Sequence, residues 1–266
     1  MPRRYPALPD ALLLVALCWL LAQLAGAVLV RPLGVQLGVG AGLTIAVVAV
    51  TAFAWRALPE PRGERVGLRG IGLLDLACVA LLIPVAFAGS ELEQLVRSAF
   101  PPPDLEAVAR SRRALVATET PRHVARSVAV IVLLAPALEE WLFRGLLQRG
   151  LSDALGSVRG ILVTSALFGL WHGSFGLSVA AWSGAFCAAF VYGILLGILR
   201  HRSGSLIAPL LLHAGINGMA VLGAALRNTL PIPVWNAPGT HVPGTVLVPA
   251  LLAVCAGVAL ALRGPR

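Results

Sequence analysis

The sequence predicts an all-α fold: a polytopic membrane helical bundle of about eight transmembrane helices, forming a single integral membrane domain over residues 1–266. Three observations predict it. The chain is 58% hydrophobic and only 12% charged, about half the charge fraction of an average soluble domain. Its mean hydropathy is +0.86. The apolar residues fall in runs long enough to cross a bilayer, which takes about 20 residues per helix.

The first run, Leu12–Val30, follows Arg3 and Arg4. A cleaved signal peptide starts the same way, but its apolar core is shorter, about 7–15 residues, so a retained helix is expected. The second run is Gly38–Ala57. Gly34, Gly38 and Gly42 recur at four-residue steps, which lets helix backbones approach closely. The third run, Ile71–Gly89, leads into a charged stretch from Ser90 to Arg126. Within it SELEQLVRSAF and LEAVARSRRALV are amphipathic, so interfacial helices broken at Pro101–Pro103 are expected.

The fourth run is Ser127–Leu147 and the fifth Gly160–Phe175. Val179–Leu199 follows, again with glycines four apart at Gly193 and Gly197, and then Leu206–Leu226. A proline-containing loop from Asn228 to Gly244 precedes the last run, Thr245–Leu262. The glycine spacing serves packing within one chain and between two chains alike, so no oligomeric state follows from it.

The formal charge of +9 comes from arginine alone, since the chain has no lysine. The arginines are scattered through short loops, which argues against nucleic acid as a partner. Their distribution sets orientation instead. Arg3, Arg4, Arg56, Arg62, Arg65, Arg69, Arg149, Arg159, Arg200, Arg202, Arg263 and Arg266 fall on the side of the N-terminus; the short loops opposite hold only Arg31 and Arg227. Both termini are therefore expected in the cytoplasm, in the cell membrane if the source is bacterial. Cys18, Cys78, Cys187 and Cys255 all lie in apolar runs with no metal spacing, and read as small buried side chains.

Against this background, a few polar residues sit where spanning segments should be apolar. Ionisable groups inside a membrane cost roughly 2.5 kcal/mol or more each, so they read as functional. Glu139, Glu140 and Arg144 lie in APALEEWLFRGLL, His172 in ALFGLWHGS, and His213 with Asn217 in LLLHAGINGMA. Glu140 and Arg144 are i and i+4 on a helix, so they share a face and can pair. Glu139 is rotated about 100° away and lacks that partner, which leaves its carboxylate for chemistry. Phe168 and His172 share a face, as do His213 and Asn217. An imidazole can bind a metal or stabilise an oxyanion, and a carboxamide can donate to developing negative charge.

The joint order EExxxR, FxxxH and HxxxN on three segments resembles the CPBP group of intramembrane proteases. That group includes type II CAAX prenyl endopeptidases and bacterial Abi proteins linked to bacteriocin self-immunity. The resemblance covers a CPBP/Abi-like catalytic core over residues 127–224, with EEWLFR, FGLWH and HAGIN intact. It implies Glu139 as the residue that activates water and Glu140 with Arg144 as structural support. It further implies that His172, His213 and Asn217 line the same cavity, with Phe168 packing beside them. The substrate it implies is a membrane protein or lipidated peptide, cut in the lipid bilayer.

The metal question stays open at this level. Two histidines and a glutamate can ligate zinc, yet HExxH is absent and asparagine is an uncommon zinc ligand. A glutamate base with no required cofactor is favoured, with zinc as the alternative. Two other functions fit buried Glu, Arg and His: a proton-coupled transporter, and a non-catalytic membrane scaffold or immunity protein. A transporter predicts an inverted repeat, which the sequence lacks.

Overall fold

The computed structural model describes residues 5–173, 178–227, 229, 230, 232, 235 and 241–263 of the chain. Every regular element among them is a helix. Arg3, Arg4, Phe175, Asn228 and Arg266, which entered the expectations above, lie outside the described residues.

The helices α1 (Leu8–Leu33) and α2 (Val35–Trp55) form a hairpin joined by one residue, Gly34, at φ 79°. A side chain there would strain the backbone, so glycine is required for the turn. The two helices close on each other through Gly38 and Gly42. A Cβ at Gly38 would lie 2.5 Å from the Val30 nitrogen, and one at Gly42 2.5 Å from the Gly26 nitrogen. The glycine series therefore divides: Gly34 turns the chain, and Gly38 and Gly42 bring the backbones together.

After a short helix, α3 (Arg62–Val66), come α4 (Leu73–Leu82) and α5 (Val85–Ala99). Together they make one apolar helix of membrane length, Leu73–Ala99. The expected end at Gly89 is corrected here, because the helix runs on through Glu91, Glu93 and Arg97. Glu93 and Arg97, i and i+4, are paired, which offsets the charge on that face. The amphipathic helix after Pro101–Pro103 is α6 (Leu105–Leu115), capped by Asp104, which accepts from the Ala107 N–H at 2.7 Å.

The fourth apolar run lies in an unbroken helical rod. It comprises α7 (Pro121–Ser127), a π segment Val128–Leu134, α8 (Ala135–Glu140), a second π segment Trp141–Leu147 and α9 (Gln148–Leu155). Pro136, near the start of α8, has no N–H to give the preceding turn, and the ladder there is widened. The two π segments bracket Glu139 and Glu140. The remaining helices are α10 (Ser157–Trp171), α11 (Val179–Ser203), α12 (Ile207–Leu226) and α13 (Gly244–Ala261).

Among the described residues, six helices are long and apolar enough to cross a membrane. The other two of the eight expected segments are the π-interrupted rod and α10, which is apolar but has 15 residues. The chain is an integral membrane protein built as a polytopic helical bundle.

One end of the bundle is tied by arginines. Arg200 donates to the Arg65 and Val66 carbonyls at 2.9 and 3.0 Å and to the Arg144 carbonyl at 3.2 Å. Arg65 pairs with Asp153 at 2.6 Å, and Arg69 donates to the Ser203 carbonyl. Arg202 lies 3.4 Å from Asp75 and donates to the Leu260 carbonyl at 2.7 Å. The loops that the arginine count assigned to one side thus meet at one end, and buried Asp75 finds its partner there.

Candidate active site

The rod supplies two carboxylates and a guanidinium to the bundle interior. Glu140 and Arg144 are fully buried, with Arg144 Nη1 donating to Glu140 Oε1 at 3.0 Å. The i,i+4 pairing survives although Arg144 stands in a π segment. Arg144 Nη2 also donates to the Gly193 carbonyl of α11 at 3.1 Å, and its guanidinium lies 4.4 Å from the centre of the Phe168 ring. Close approach of α11 to α10 makes this reach possible: a Cβ on Gly193 would lie 2.9 Å from the Ser165 side chain.

His213 of α12 joins the pair. Its Nδ1 lies 2.8 Å from Glu140 Oε1. A carboxylate only accepts, so Nδ1 carries the proton and donates. Nε2 then points the other way, 3.7 Å from Glu139 Oε2. The ring also packs edge-on against Phe168, with centroids 5.5 Å apart.

Glu139 is buried too, but its anchor differs from that of Glu140. Trp171 Nε1 donates to Glu139 Oε1 at 3.2 Å. The carboxylate is thus held by an indole N–H and not left unpartnered, as the rotation argument suggested. Trp171 is not among the site residues that the sequence motifs single out. It is 8% exposed and part of the site. A tryptophan at the end of an apolar helix, next to a histidine, carried the signal, because a buried indole N–H needs an acceptor.

His172 sits at the end of α10, its Nδ1 donating to the Phe168 carbonyl at 2.8 Å and its ring 4.8 Å from Phe168. Asn217, one turn beyond His213, donates from Nδ2 to the Ile131 carbonyl in the first π segment at 2.9 Å. A cavity of about 670 Å³ is lined by Phe168, His172, His213 and Asn217. Glu139 does not line it. Its carboxylate is set behind His213, which does.

The set also tests the fit of zinc. A zinc ion needs three or four ligands converging at about 2.0–2.2 Å. Among the described residues no three His, Cys, Asp or Glu side chains converge in that way. One ring nitrogen of His213 and one of His172 are already engaged, with Glu140 and with the Phe168 carbonyl. The residues as placed do not make a zinc centre, and no step below runs through one.

Residues 121–219 match the family described as type II CAAX prenyl endopeptidase, Rce1-like. The resemblance drawn from the three motifs holds over this stretch, which contains Glu139, Glu140, Arg144, Phe168, His172, His213 and Asn217. It reaches from the rod into α12 and takes in neither the α1–α2 hairpin nor α13. No curated protein and no solved structure matches the chain. The match supports a membrane endopeptidase of the CAAX type in general.

Proposed function

We propose that this protein is an intramembrane endopeptidase in which Glu139 activates the attacking water. The observation that carries the reading is the 3.7 Å separation of Glu139 Oε2 and His213 Nε2. Two acceptors that far apart can share one water, each at about 2.8 Å. With Nδ1–H donated to Glu140, Nε2 offers a lone pair, so the water donates one hydrogen to each residue. Its own lone pairs face away, toward a substrate carbonyl.

The steps then balance. Glu139 takes the water's proton as the oxygen attacks the carbonyl carbon, giving a tetrahedral oxyanion. Asn217 donates to that oxyanion through the second N–H of its amide, the first being held by Ile131. His213 positions water in this scheme, so oxyanion stabilisation falls to Asn217. The C–N bond breaks as Glu139 returns the proton to the leaving amine, and the products separate as a carboxylate and an ammonium once the new acid has passed its proton to the amine. Glu140 and Arg144 hold His213 in one tautomer and orientation, and the ring of His172 lines the cavity that receives the peptide. The substrate class is a membrane protein or lipidated peptide, and the mechanism requires no metal.

The test compares membrane-protein N- and C-termini by mass spectrometry in cells expressing wild type or Glu139→Gln. Termini that appear only with wild type are expected, and they name the substrate. Matched expression with no differing terminus would overturn the reading.

A further inference from the structure

The cavity that starts at the hydrolytic set continues well beyond it. Along α12 and the residue that follows it, the lining includes His213, Asn217, Ala220, Ala224 and Arg227. Steps of three and four residues keep them on one face. From His213 to Arg227 this face rises about 21 Å, room for about six residues of extended peptide.

Away from the histidines the wall turns basic. Arg97 of α5 and Arg112 of α6 both line the cavity, and both donate to the same carboxylate oxygen of Glu93. Two guanidiniums on one carboxylate leave a positive charge uncompensated. Glu93 is itself a cavity-lining carboxylate with a side chain only 13% exposed, so the fork already holds the chemical group it would recognise. Arg113, which also lines the cavity, is matched by Glu106 at 3.3 Å and adds no free charge. Of these three arginines, Arg97 and Arg112 carry the surplus.

We infer that Arg97 and Arg112 form a subsite for the free C-terminal carboxylate of the peptide being cut, an assignment that rests on the endopeptidase reading above. Paired guanidiniums bind a carboxylate through charge-assisted hydrogen bonds. Glu93 holds the two arginines together between turnovers, and the substrate carboxylate takes up the remaining charge. The cut then falls a few residues from the end of the substrate. A peptide lacking the terminal charge loses the contact that sets its register.

The experiment uses the full-length protein in phosphatidylcholine vesicles and two membrane-anchored peptides of one sequence. One peptide ends in a carboxylate and the other in a carboxamide, and products are read by mass spectrometry. Wild type is expected to favour the carboxylate by roughly tenfold or more in kcat/KM, mainly through KM. In Arg97→Gln and Arg112→Gln that ratio falls toward one. Arg110→Gln changes an exposed arginine of α6 that does not line the cavity, and it keeps the preference. Arg112→Lys retains part of it, which separates lost charge from a lost fold. Wild type cutting both peptides alike overturns the subsite and leaves the endopeptidase reading standing. So does a preference that persists in the double glutamine variant. A preference erased by adding phosphatidylglycerol assigns the arginines to a lipid phosphate and overturns the proposal. Wild type that cuts neither peptide, behaving as Glu139→Gln does, overturns the endopeptidase reading and the subsite with it.

Discussion

Glu140 and His213 lie 73 residues apart in the chain and meet at 2.8 Å in a buried contact that also includes Arg144. One carboxylate oxygen thus accepts from two donors on two helices. Removing it leaves a buried guanidinium without its paired carboxylate, a loss that costs about 3–5 kcal/mol. Glu140→Ala is therefore expected to lower the melting temperature in detergent and to abolish hydrolysis at once. A variant melting with wild type would refute the structural role.

Glu139 should behave in the opposite way. In Glu139→Gln the amide oxygen still accepts from Trp171, so the fold keeps its contact while the base is gone. Loss of a general base lowers kcat by about 10²–10⁴-fold. Thermal unfolding should match wild type within error, and peptide cleavage should fall by that factor. Retained cleavage would remove Glu139 from the chemistry.

Trp171→Phe keeps the ring against Phe143, whose centroid lies 5.8 Å away, and deletes only the N–H. A hydrogen bond to a charged group is worth about 1.5–3 kcal/mol, which as a rate is roughly tenfold to a hundredfold. Steady-state kinetics on a defined peptide should show that loss mainly in kcat. An unchanged rate would mean that the indole does not position the carboxylate.

The α1–α2 contact admits no side chain at Gly42. Gly42→Ala puts a methyl group 2.5 Å from the Gly26 backbone nitrogen, and such overpacking costs about 1–3 kcal/mol. Gly63→Ala serves as the comparison, because its Cβ would meet nothing within 4 Å. Thermal melts should separate the two variants, and equal melting would argue against the close approach.

A route through Glu139 alone predicts that purified protein dialysed against 1,10-phenanthroline keeps its cleavage rate. Loss of activity on chelation, restored by added zinc, would require a metal ligand set formed by rearrangement.

Much of the site could be read from local spacing, and the limits follow from the same fact. Glu140–Arg144 is an i,i+4 pair, and helix geometry alone brings the two together. Asp75–Arg202 and Glu140–His213 join distant helices, so no spacing rule finds them. The run of α5 past Gly89 was obscured by its charges, although Glu93 and Arg97 repeat the spacing of Glu140 and Arg144. Trp171 was hidden by its residue type, which serves as readily at a lipid interface as in a hydrogen bond. The π segments depend on how the helix accommodates Pro136 and its neighbours, and hydrophobic periodicity does not report that.

The local pairing of Glu140 with Arg144 also bears on how the protein is made. Synthesis delivers both residues together, whereas His213 emerges only after three further helices have begun. During that interval the rod must enter the membrane without its imidazole partner. A counter-charge one turn away lets Glu140 cross as a neutral pair, and the site is completed when α12 arrives. Glu139 has no such companion, and its Trp171 donor is made before His213. The order of residues along the chain thus doubles as an order of assembly, with the Glu139 carboxylate restrained before His213 reaches it.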